Sequence, residues 1–150
     1  MRAIVQRVLE ASVEIEGKIF SKIKEGMLVL LGVEENDSAE DVSWLAAKIA
    51  NTRIFSDNNG LMNRSVNDIS GEVLVVSQFT LFASTRKGNR PSFIRAAKPE
   101  LARLHYEMFC KQLSQELSRQ VKTGVFAADM KVALINNGPV TLIFDTKVKE

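Results

Sequence analysis

Residues 27–33, Met27-Leu28-Val29-Leu30-Leu31-Gly32-Val33, form a continuous apolar run. A strand with one face in water alternates apolar and polar residues, whereas an uninterrupted run of this length is typical of a strand that is covered on both faces. We therefore predict that this run is a central strand, with other elements packed on both sides of its sheet.

A hairpin is predicted before the central strand. Residues 3–15 follow a strand-like pattern up to the turn signal Glu16-Gly17-Lys18, and residues 19–23 would return beside them. A second apolar run, Val73-Leu74-Val75-Val76, leads straight into Ser77-Gln78-Phe79-Thr80-Leu81. This polar segment is therefore expected at the end of a buried strand.

Two helices are predicted. Ser38 followed by Asp41 resembles a capping box, so the first helix should cover residues 38–51 with an apolar face of Val42, Leu45, Ala46 and Ile49. Pro99 can open the second helix, which should end before Gly124. Its expected apolar face consists of Leu101, Leu104, Met108, Leu113 and Leu117.

The end of the chain predicts two closing strands, residues 131–135 and 140–144, around a turn at Asn136-Asn137-Gly138-Pro139. The order of strands and helices indicates an α+β fold, a curved, barrel-like mixed β-sheet flanked by two main helices. No repeat, low-complexity stretch or linker divides the sequence, so residues 1–150 are expected to form a single domain.

Composition limits the classes of function. A formal charge of +2 is far from the strongly basic balance of a protein that grips a long duplex, so no DNA partner is expected. With one cysteine and one histidine, neither a disulfide framework nor a Cys/His zinc site can form, so we expect no metal and no cofactor. These features, without an apolar run of membrane-spanning length, favour the cytoplasm and no membrane partner.

Few side chains could supply conventional catalytic chemistry. The histidine, His105, falls in the middle of the second predicted helix, where a packing role is more common than that of a base. Cys110 lies in the same helix and is expected to be a buried, inert thiol. The densest group of cations, Arg86, Lys87, Arg90 and Arg95, is either a small phosphate-binding patch or a solvated loop.

Two polar interruptions at strand ends remain as candidate sites: residues 77–80 and residues 136–139. Backbone N–H groups released at a strand end can stabilise an oxyanion, with the hydroxyls of Ser77 and Thr80 as further hydrogen-bonding groups, which would suit acyl hydrolysis. Alternatively, these hydroxyls only satisfy backbone groups, and Gly138-Pro139 is an ordinary trans turn.

At these residues the chain resembles the D-aminoacyl-tRNA deacylase family. The resemblance extends nearly from end to end, in several separate blocks that occur in family order. The blocks are Ile4-Val5-Gln6-Arg7-Val8, Ala11-Ser12-Val13, Leu30-Leu31-Gly32-Val33, Arg53-Ile54-Phe55-Ser56, Ser77-Gln78-Phe79-Thr80-Leu81, Arg90-Pro91-Ser92-Phe93 and Asn136-Asn137-Gly138-Pro139-Val140-Thr141.

The resemblance implies a homodimer that binds the acceptor end of aminoacyl-tRNA and hydrolyses the ester of a D-amino acid, with mischarged glycine as a further candidate substrate. It also implies that a cis Gly138-Pro139 peptide reaches across the dimer, so that its carbonyls occupy the space an L side chain would need. Arg7 would orient this motif, and Asn136 is a further residue of substrate binding and L-amino-acid rejection. A solvent-facing strand arginine is the alternative for Arg7.

By the same resemblance, Ser77, Gln78, Phe79 and Thr80 form the wall that receives the aminoacyl-adenosine end of tRNA, with Phe79 acting mainly through its backbone. Thr80 is either a nucleophile or an orienting group, and the orienting role is preferred because no base is at hand. A substrate-assisted route through the ribose 2′-hydroxyl is also implied. Met130 resembles a pocket-lining position, or is an ordinary core methionine.

Three other classes of function compete with this interpretation. The first is a non-catalytic RNA-binding module that uses the basic segment and aromatic residues. The second is a small-molecule esterase in which Ser77 or Thr80 forms an acyl-enzyme, which the missing base disfavours. The third, ranked last, is a purely structural homodimer.

Overall fold

Eight strands and two α-helices make up residues 1–149, the part of the chain that the computed structural model describes. In chain order the elements are β1 (Arg2–Ile15), β2 (Lys18–Ile23), β3 (Gly26–Gly32), α1 (Ala39–Asn51), β4 (Phe55–Ser56), β5 (Met62–Arg64), β6 (Glu72–Ser77), a 3₁₀ helix (Phe79–Phe82), α2 (Pro99–Glu116), β7 (Lys122–Thr123) and β8 (Lys131–Asp145).

The main sheet is mixed and curves into a nearly closed barrel. Its strand order is β2-β1-β3-β6-β7, and β8 pairs with β1. The pair β1–β3 is antiparallel, whereas β3–β6 is parallel. The predicted α+β fold with two flanking helices is confirmed, and so is the central strand, since every residue of β3 except Leu30 is buried.

The first hairpin is confirmed as well. Glu16 and Gly17 connect β1 to β2 with φ angles of 51° and 75°. Two consecutive left-handed residues are typical of the tight turn whose twist matches that of the flanking strands.

Neighbouring residues of the central strands face two different cores. In β6, Val73 and Val75 pack toward the helices, while Leu74 and Val76 point into the barrel. The larger core, between sheet and helices, is filled by fully buried side chains such as Phe109. Burial of one such side chain contributes about 1.5–3 kcal/mol to the stability of the fold. Because β3 and β6 contribute side chains to both cores, the positions of these two strands are fixed.

Helix α1 begins as predicted. The Ser38 side chain accepts from the Asp41 amide and the Asp41 side chain accepts from the Ser38 amide, which completes the capping box. Pro99 opens α2, also as predicted.

The predicted apolar face of α2 is partly wrong. Leu113 and Leu117 are buried, but Leu104 is 53% exposed, and Leu101 and Met108 are only partly buried. The face that α2 buries is formed by Ala102, His105, Tyr106, Phe109, Cys110 and Leu113. The buried face of α2 is therefore displaced to one side of the predicted face. The reason is that Tyr106 and Phe109, rather than Leu101 and Leu104, fill the space against the sheet.

The predicted turn at residues 136–139 is wrong, because the chain does not reverse there. β8 is one strand that pairs with β1 from Asp145 opposite Arg2 to Lys131 opposite Glu14. Between the pairs Gln6–Thr141 and Val8–Asn136, residues 137–140 bulge out of the ladder opposite Arg7. The uninterrupted partner strand keeps the chain in one direction, and the polar and Gly-Pro residues are accommodated as a bulge.

Candidate active site

The end of β6 is fixed against the central strand. Ser77 pairs with Leu31 in the parallel ladder, and the Gln78 amide donates to the Leu31 carbonyl at 2.7 Å. The chain then turns into the 3₁₀ helix at Phe79. The predicted polar segment thus lies at a strand end and is held there by backbone pairing.

A cavity of about 700 Å³ opens beside this strand end. Ser77, Gln78 and Phe79 line it from one side, and Met130, just before β8, lines it from another. The remaining wall comes from strands β3, β6 and β8, from the segment that enters α2 and its first turns, and from the loop before β8. The structure therefore brings four of the predicted site residues to a single cavity.

Thr80 is hydrogen-bonded to a residue of the cavity wall: the side-chain amide of Gln78 donates to the Thr80 hydroxyl. Thr80 itself does not line the cavity among the described residues. His105 is buried on the inner face of α2 and likewise lies outside the cavity wall of residues 1–149. A histidine base next to Ser77 or Thr80 is thus lacking in the described chain.

The amides of Phe79 and Thr80 begin the 3₁₀ helix and find no acceptor within residues 1–149. The first N–H groups of a helix have no partner inside the helix. Of these two residues, Phe79 lines the cavity.

The inner wall of the cavity is structural rather than reactive. The Tyr106 hydroxyl donates to the Val75 carbonyl at 2.8 Å, and burial raises the pKa of Tyr106 far above its usual range. Burial also raises the pKa of the nearby Cys110 thiol to about 12. The prediction that Cys110 is a buried, inert thiol agrees with this environment.

The second group of predicted residues assembles around the bulge in β8. Arg7 Nε donates to the Asn137 carbonyl at 3.0 Å, and Arg7 Nη1 donates to the Ile54 carbonyl. The Asn136 side-chain amide donates to the carbonyls of Arg7 and Val140, at 3.1 Å each. Arg7 and Asn136 therefore fix the bulge, and the Arg7 side chain is not a free, solvent-facing one.

The Gly138–Pro139 peptide bond is cis, and both residues are exposed at the tip of the bulge. Among the described residues, Arg7, Asn136, Gly138 and Pro139 contribute nothing to the wall of the cavity. Within one chain, the predicted site residues thus form two separate groups.

The basic segment forms an exposed loop that is closed by two backbone hydrogen bonds between Ser84 and Ser92, at 2.8 and 2.9 Å. Arg95 is engaged within the protein, since it pairs with Glu34 at 3.2 Å and lies over the Phe82 ring. In residues 1–149, Arg86, Lys87 and Arg90 make no ion pair.

Several cavity residues escaped the sequence analysis as individual candidates, among them Phe93, Lys98, Phe126 and Ala127. Phe93 had a signal, since it ends one of the resembling blocks. The others lie in loops without a local chemical pattern. Their convergence is visible only in the fold.

No group of three or more acidic, histidine or cysteine side chains suited to a metal ion occurs in residues 1–149. No α-helix in that range is both long and apolar enough to cross a membrane.

Comparison with known proteins gives one consistent family. The family model described as D-Tyr-tRNA(Tyr) deacylase matches residues 4–145. The chain is 57% identical to a D-aminoacyl-tRNA deacylase of Flavobacterium psychrophilum and 59% identical to one of Bacteroides fragilis, in each case over 150 residues and the full length of both chains.

Two solved structures are similar to this one. The structure titled c-Myc DNA Unwinding Element Binding Protein has a TM-score of 0.91 and 40% sequence identity, covering 97% of this chain and 98% of the other. A probable eukaryotic D-amino acid tRNA deacylase has a TM-score of 0.83 over 95% of this chain and 97% of its own. At 15% identity, the second likeness supports the fold alone.

Proposed function

The chain belongs to the D-Tyr-tRNA(Tyr) deacylase family and is an aminoacyl-tRNA ester hydrolase, and on that premise we propose how it acts on its substrate. The cavity beside β6 takes the aminoacyl-adenosine end of a D-aminoacyl-tRNA. The Gly138–Pro139 motif of a second copy closes that cavity and rejects L-amino acids. The products are free tRNA and the free amino acid.

The observation that carries the catalytic part of the proposal is the unused amide donor of Phe79, a residue that lines a cavity without a histidine base. Such donors stabilise the oxyanion that forms when an acyl carbonyl is attacked, and the loss of one of them typically costs about 10²–10³ in kcat. The backbone would therefore supply the main electrostatic stabilisation.

In the proposed reaction, water adds to the acyl carbonyl and the resulting oxyanion accepts a hydrogen bond from the Phe79 amide. Collapse of this intermediate breaks the ester, and the departing ribose oxygen takes up a proton. The neighbouring 2′-hydroxyl of the terminal ribose assists the proton transfer. Gln78 and Thr80, joined by their side-chain hydrogen bond, orient the wall rather than attack the ester.

A homodimer is proposed because the two groups of site residues lie apart in one chain. β8 pairs with β1 alone among the described strands, and its Ile135 and Ile143 side chains are 51% and 75% exposed. A long edge strand with exposed apolar side chains is unusual in a monomer and supports contact with a second copy.

Chirality would be decided by exclusion. The carbonyls of the bulge, brought in by the second copy, fill the space that the side chain of an L-amino acid needs, whereas a D side chain points away from them. Glycine has no side chain to exclude, so glycyl-tRNA is expected to be a further, weaker substrate.

The acceptor end of aminoacyl-tRNA is the proposed partner, and the cytoplasm, where charged tRNA is used, is the proposed location. Arg86, Lys87 and Arg90 would contact phosphates of the acceptor end, which positions the substrate without recognising its amino acid.

Release of tyrosine from matched D- and L-tyrosyl-tRNA, with a chelator present and spontaneous hydrolysis subtracted, tests the proposed function. We expect chelator-resistant hydrolysis of the D ester alone. Equal hydrolysis of both esters would contradict the exclusion mechanism, and hydrolysis of neither would favour the RNA-binding module.

A further inference from the structure

We propose that the Phe79 and Phe93 rings form a stacking platform for the base of the nucleotide that precedes the terminal adenosine of tRNA. This inference rests on the proposed function and adds to it a subsite outside the reaction centre. The platform would recognise an unpaired nucleobase rather than the amino acid.

The two rings meet at the mouth of the cavity. Their centroids are 5.0 Å apart with an interplanar angle of 71°, an edge-to-face arrangement. Both residues line the cavity, yet Phe79 is 57% exposed and Phe93 is 37% exposed. Because the rings meet edge to face, they do not share one plane: an exposed face of one ring can stack on a ligand while the other ring braces it.

The loop that carries Phe93 is fastened on both sides of the ring. On one side, Ser84 and Ser92 exchange two backbone hydrogen bonds. On the other side, the Ala97 amide donates to the Val33 carbonyl at 3.0 Å, and Arg95 pairs with Glu34 at 3.2 Å. The ring is therefore presented by an anchored loop, which reduces the entropy lost when a base stacks on it.

The charges around the platform suit single-stranded nucleic acid. Arg86, Lys87 and Arg90 are exposed on the loop that carries Phe93, and Lys98 lies on the cavity rim. Basic side chains beside exposed aromatic rings are the combination that binds unpaired nucleotides, where stacking contributes about 1–3 kcal/mol per base.

The size of the cavity decides which nucleotide reaches the platform. A volume of about 700 Å³ lies within the range of about 300–1,000 Å³ that encloses a ligand the size of an aminoacyl-adenosine. Since the terminal adenosine and its acyl group occupy the cavity, the next base along the strand falls at the rim, where the two rings are.

The Phe93→Leu variant tests the platform, because leucine keeps the apolar contact and removes the π face. The substrates are D-tyrosyl-tRNA and 3′-O-D-tyrosyl-adenosine, which lacks the preceding nucleotide. We expect kcat/KM to fall about tenfold for the tRNA, through KM, and by a much smaller factor for the nucleoside ester. Phe93→Tyr should restore the tRNA value, and Phe20→Leu, at an exposed phenylalanine of β2, should match the parent protein.

A tRNA with an abasic nucleotide before the terminal adenosine completes the test. The parent protein should lose the same factor on this tRNA as Phe93→Leu loses on normal tRNA, and the variant should lose nothing further. Equal losses on tRNA and nucleoside ester, or no loss on either, would overturn the platform while leaving the deacylase function standing. Inactivity of the parent protein on both D substrates would overturn the function and the platform together.

Discussion

At the scale of single residues, Gly138 has the most restrictive surroundings in the β8 bulge. Its φ angle is 134°, a region that side chains disfavour, and a Cβ built there would lie 2.7 Å from Arg7 Nη2 and 2.9 Å from Val140 Cγ2. Any larger residue would therefore push Arg7 away from the Asn137 carbonyl.

We expect Gly138→Ala to lower the free energy of unfolding by about 1–3 kcal/mol and to reduce the preference for D- over L-tyrosyl-tRNA at least tenfold. Urea denaturation and parallel deacylation assays measure the two effects. Gly60→Ala is the matched control, because Gly60 has a φ of 80° but no atom within 4 Å of the added Cβ. Gly60→Ala should retain full selectivity, and an equal loss there would mean that the contact with Arg7 is irrelevant.

The Cys110 thiol gives a second prediction at this scale. Because burial raises its pKa to about 12, the thiolate is scarcely populated at pH 8, and the folded protein should resist alkylation by iodoacetamide while keeping its deacylase rate. Mass spectrometry and the rate after treatment check this. Rapid alkylation with loss of activity would point to a reactive thiol in the mechanism.

Only part of the site could be predicted from residue types. Ser77, Gln78, Phe79 and Met130 were predicted from sequence blocks and lie together at the cavity. Phe93 and Phe126 approach it from loops far apart in the chain, and nothing in a linear pattern states that two loops converge. The separation of Gly138 from the cavity also depends on the path of β8, which the sequence did not reveal.

At the scale of elements, the start of α1 is tied to the end of the chain. Burial opposes ionisation of Asp41, but hydrogen bonds from Lys147, Thr146 and Ser38 outweigh it and hold the Asp41 pKa well below its usual range. Lys147 Nζ lies 2.6 Å from the Asp41 carboxylate. The ionised carboxylate thus caps the helix and fastens the segment that follows β8.

A carboxylate with a depressed pKa stabilises the fold above its unfolded pKa of about 3.9, and that contribution disappears as the pH falls toward the folded value. We expect Asp41→Asn to be less stable than the parent protein at pH 7 and to lose less stability between about pH 5 and 2. Urea unfolding across that range supplies the measurement. Parallel pH profiles for the two proteins would contradict the assignment.

Elements with strong local signals were predictable, and those decided by distant partners were not. The Ser38 cap and Pro99 placed both helices, and the apolar run placed β3. The sequence predicts a turn where β8 has a bulge, because Asn-Gly-Pro indicates irregular backbone without indicating whether the chain reverses. Its direction is set by pairing with β1, a contact between the two ends of the chain.

At the scale of the whole molecule, a charge of +2 supplies little general attraction for RNA, so the proposed contact with tRNA relies on the local charges of the basic loop. We expect the combined change of Arg86, Lys87 and Arg90 to Gln to raise KM for D-tyrosyl-tRNA. It should also make the plot of log(kcat/KM) against log salt concentration shallower by about 2.

Kinetics at several salt concentrations test this prediction. A control that changes Lys18, Lys24 and Lys48 to Gln removes the same charge at exposed positions outside the cavity wall described for residues 1–149. If the two triple variants shift the salt dependence equally, net charge rather than the loop governs binding.

Two molecules share each proposed site, since the motif that rejects L-amino acids is proposed to serve the cavity of the other copy. The most direct test of this arrangement combines two variants by co-expression. Gly138→Ala should hydrolyse both enantiomers, and Gln78→Ala, which loses the side chain that orients the cavity wall, should hydrolyse neither. In a mixed dimer, the intact cavity of the first chain meets the intact Gly138–Pro139 of the second.

With a tenfold excess of the Gln78→Ala chain, L-tyrosyl-tRNA hydrolysis per Gly138→Ala chain should fall about tenfold while D-tyrosyl-tRNA hydrolysis persists. Unchanged L-tyrosyl-tRNA hydrolysis in the mixed dimer would show that each cavity depends on its own chain and would contradict the account.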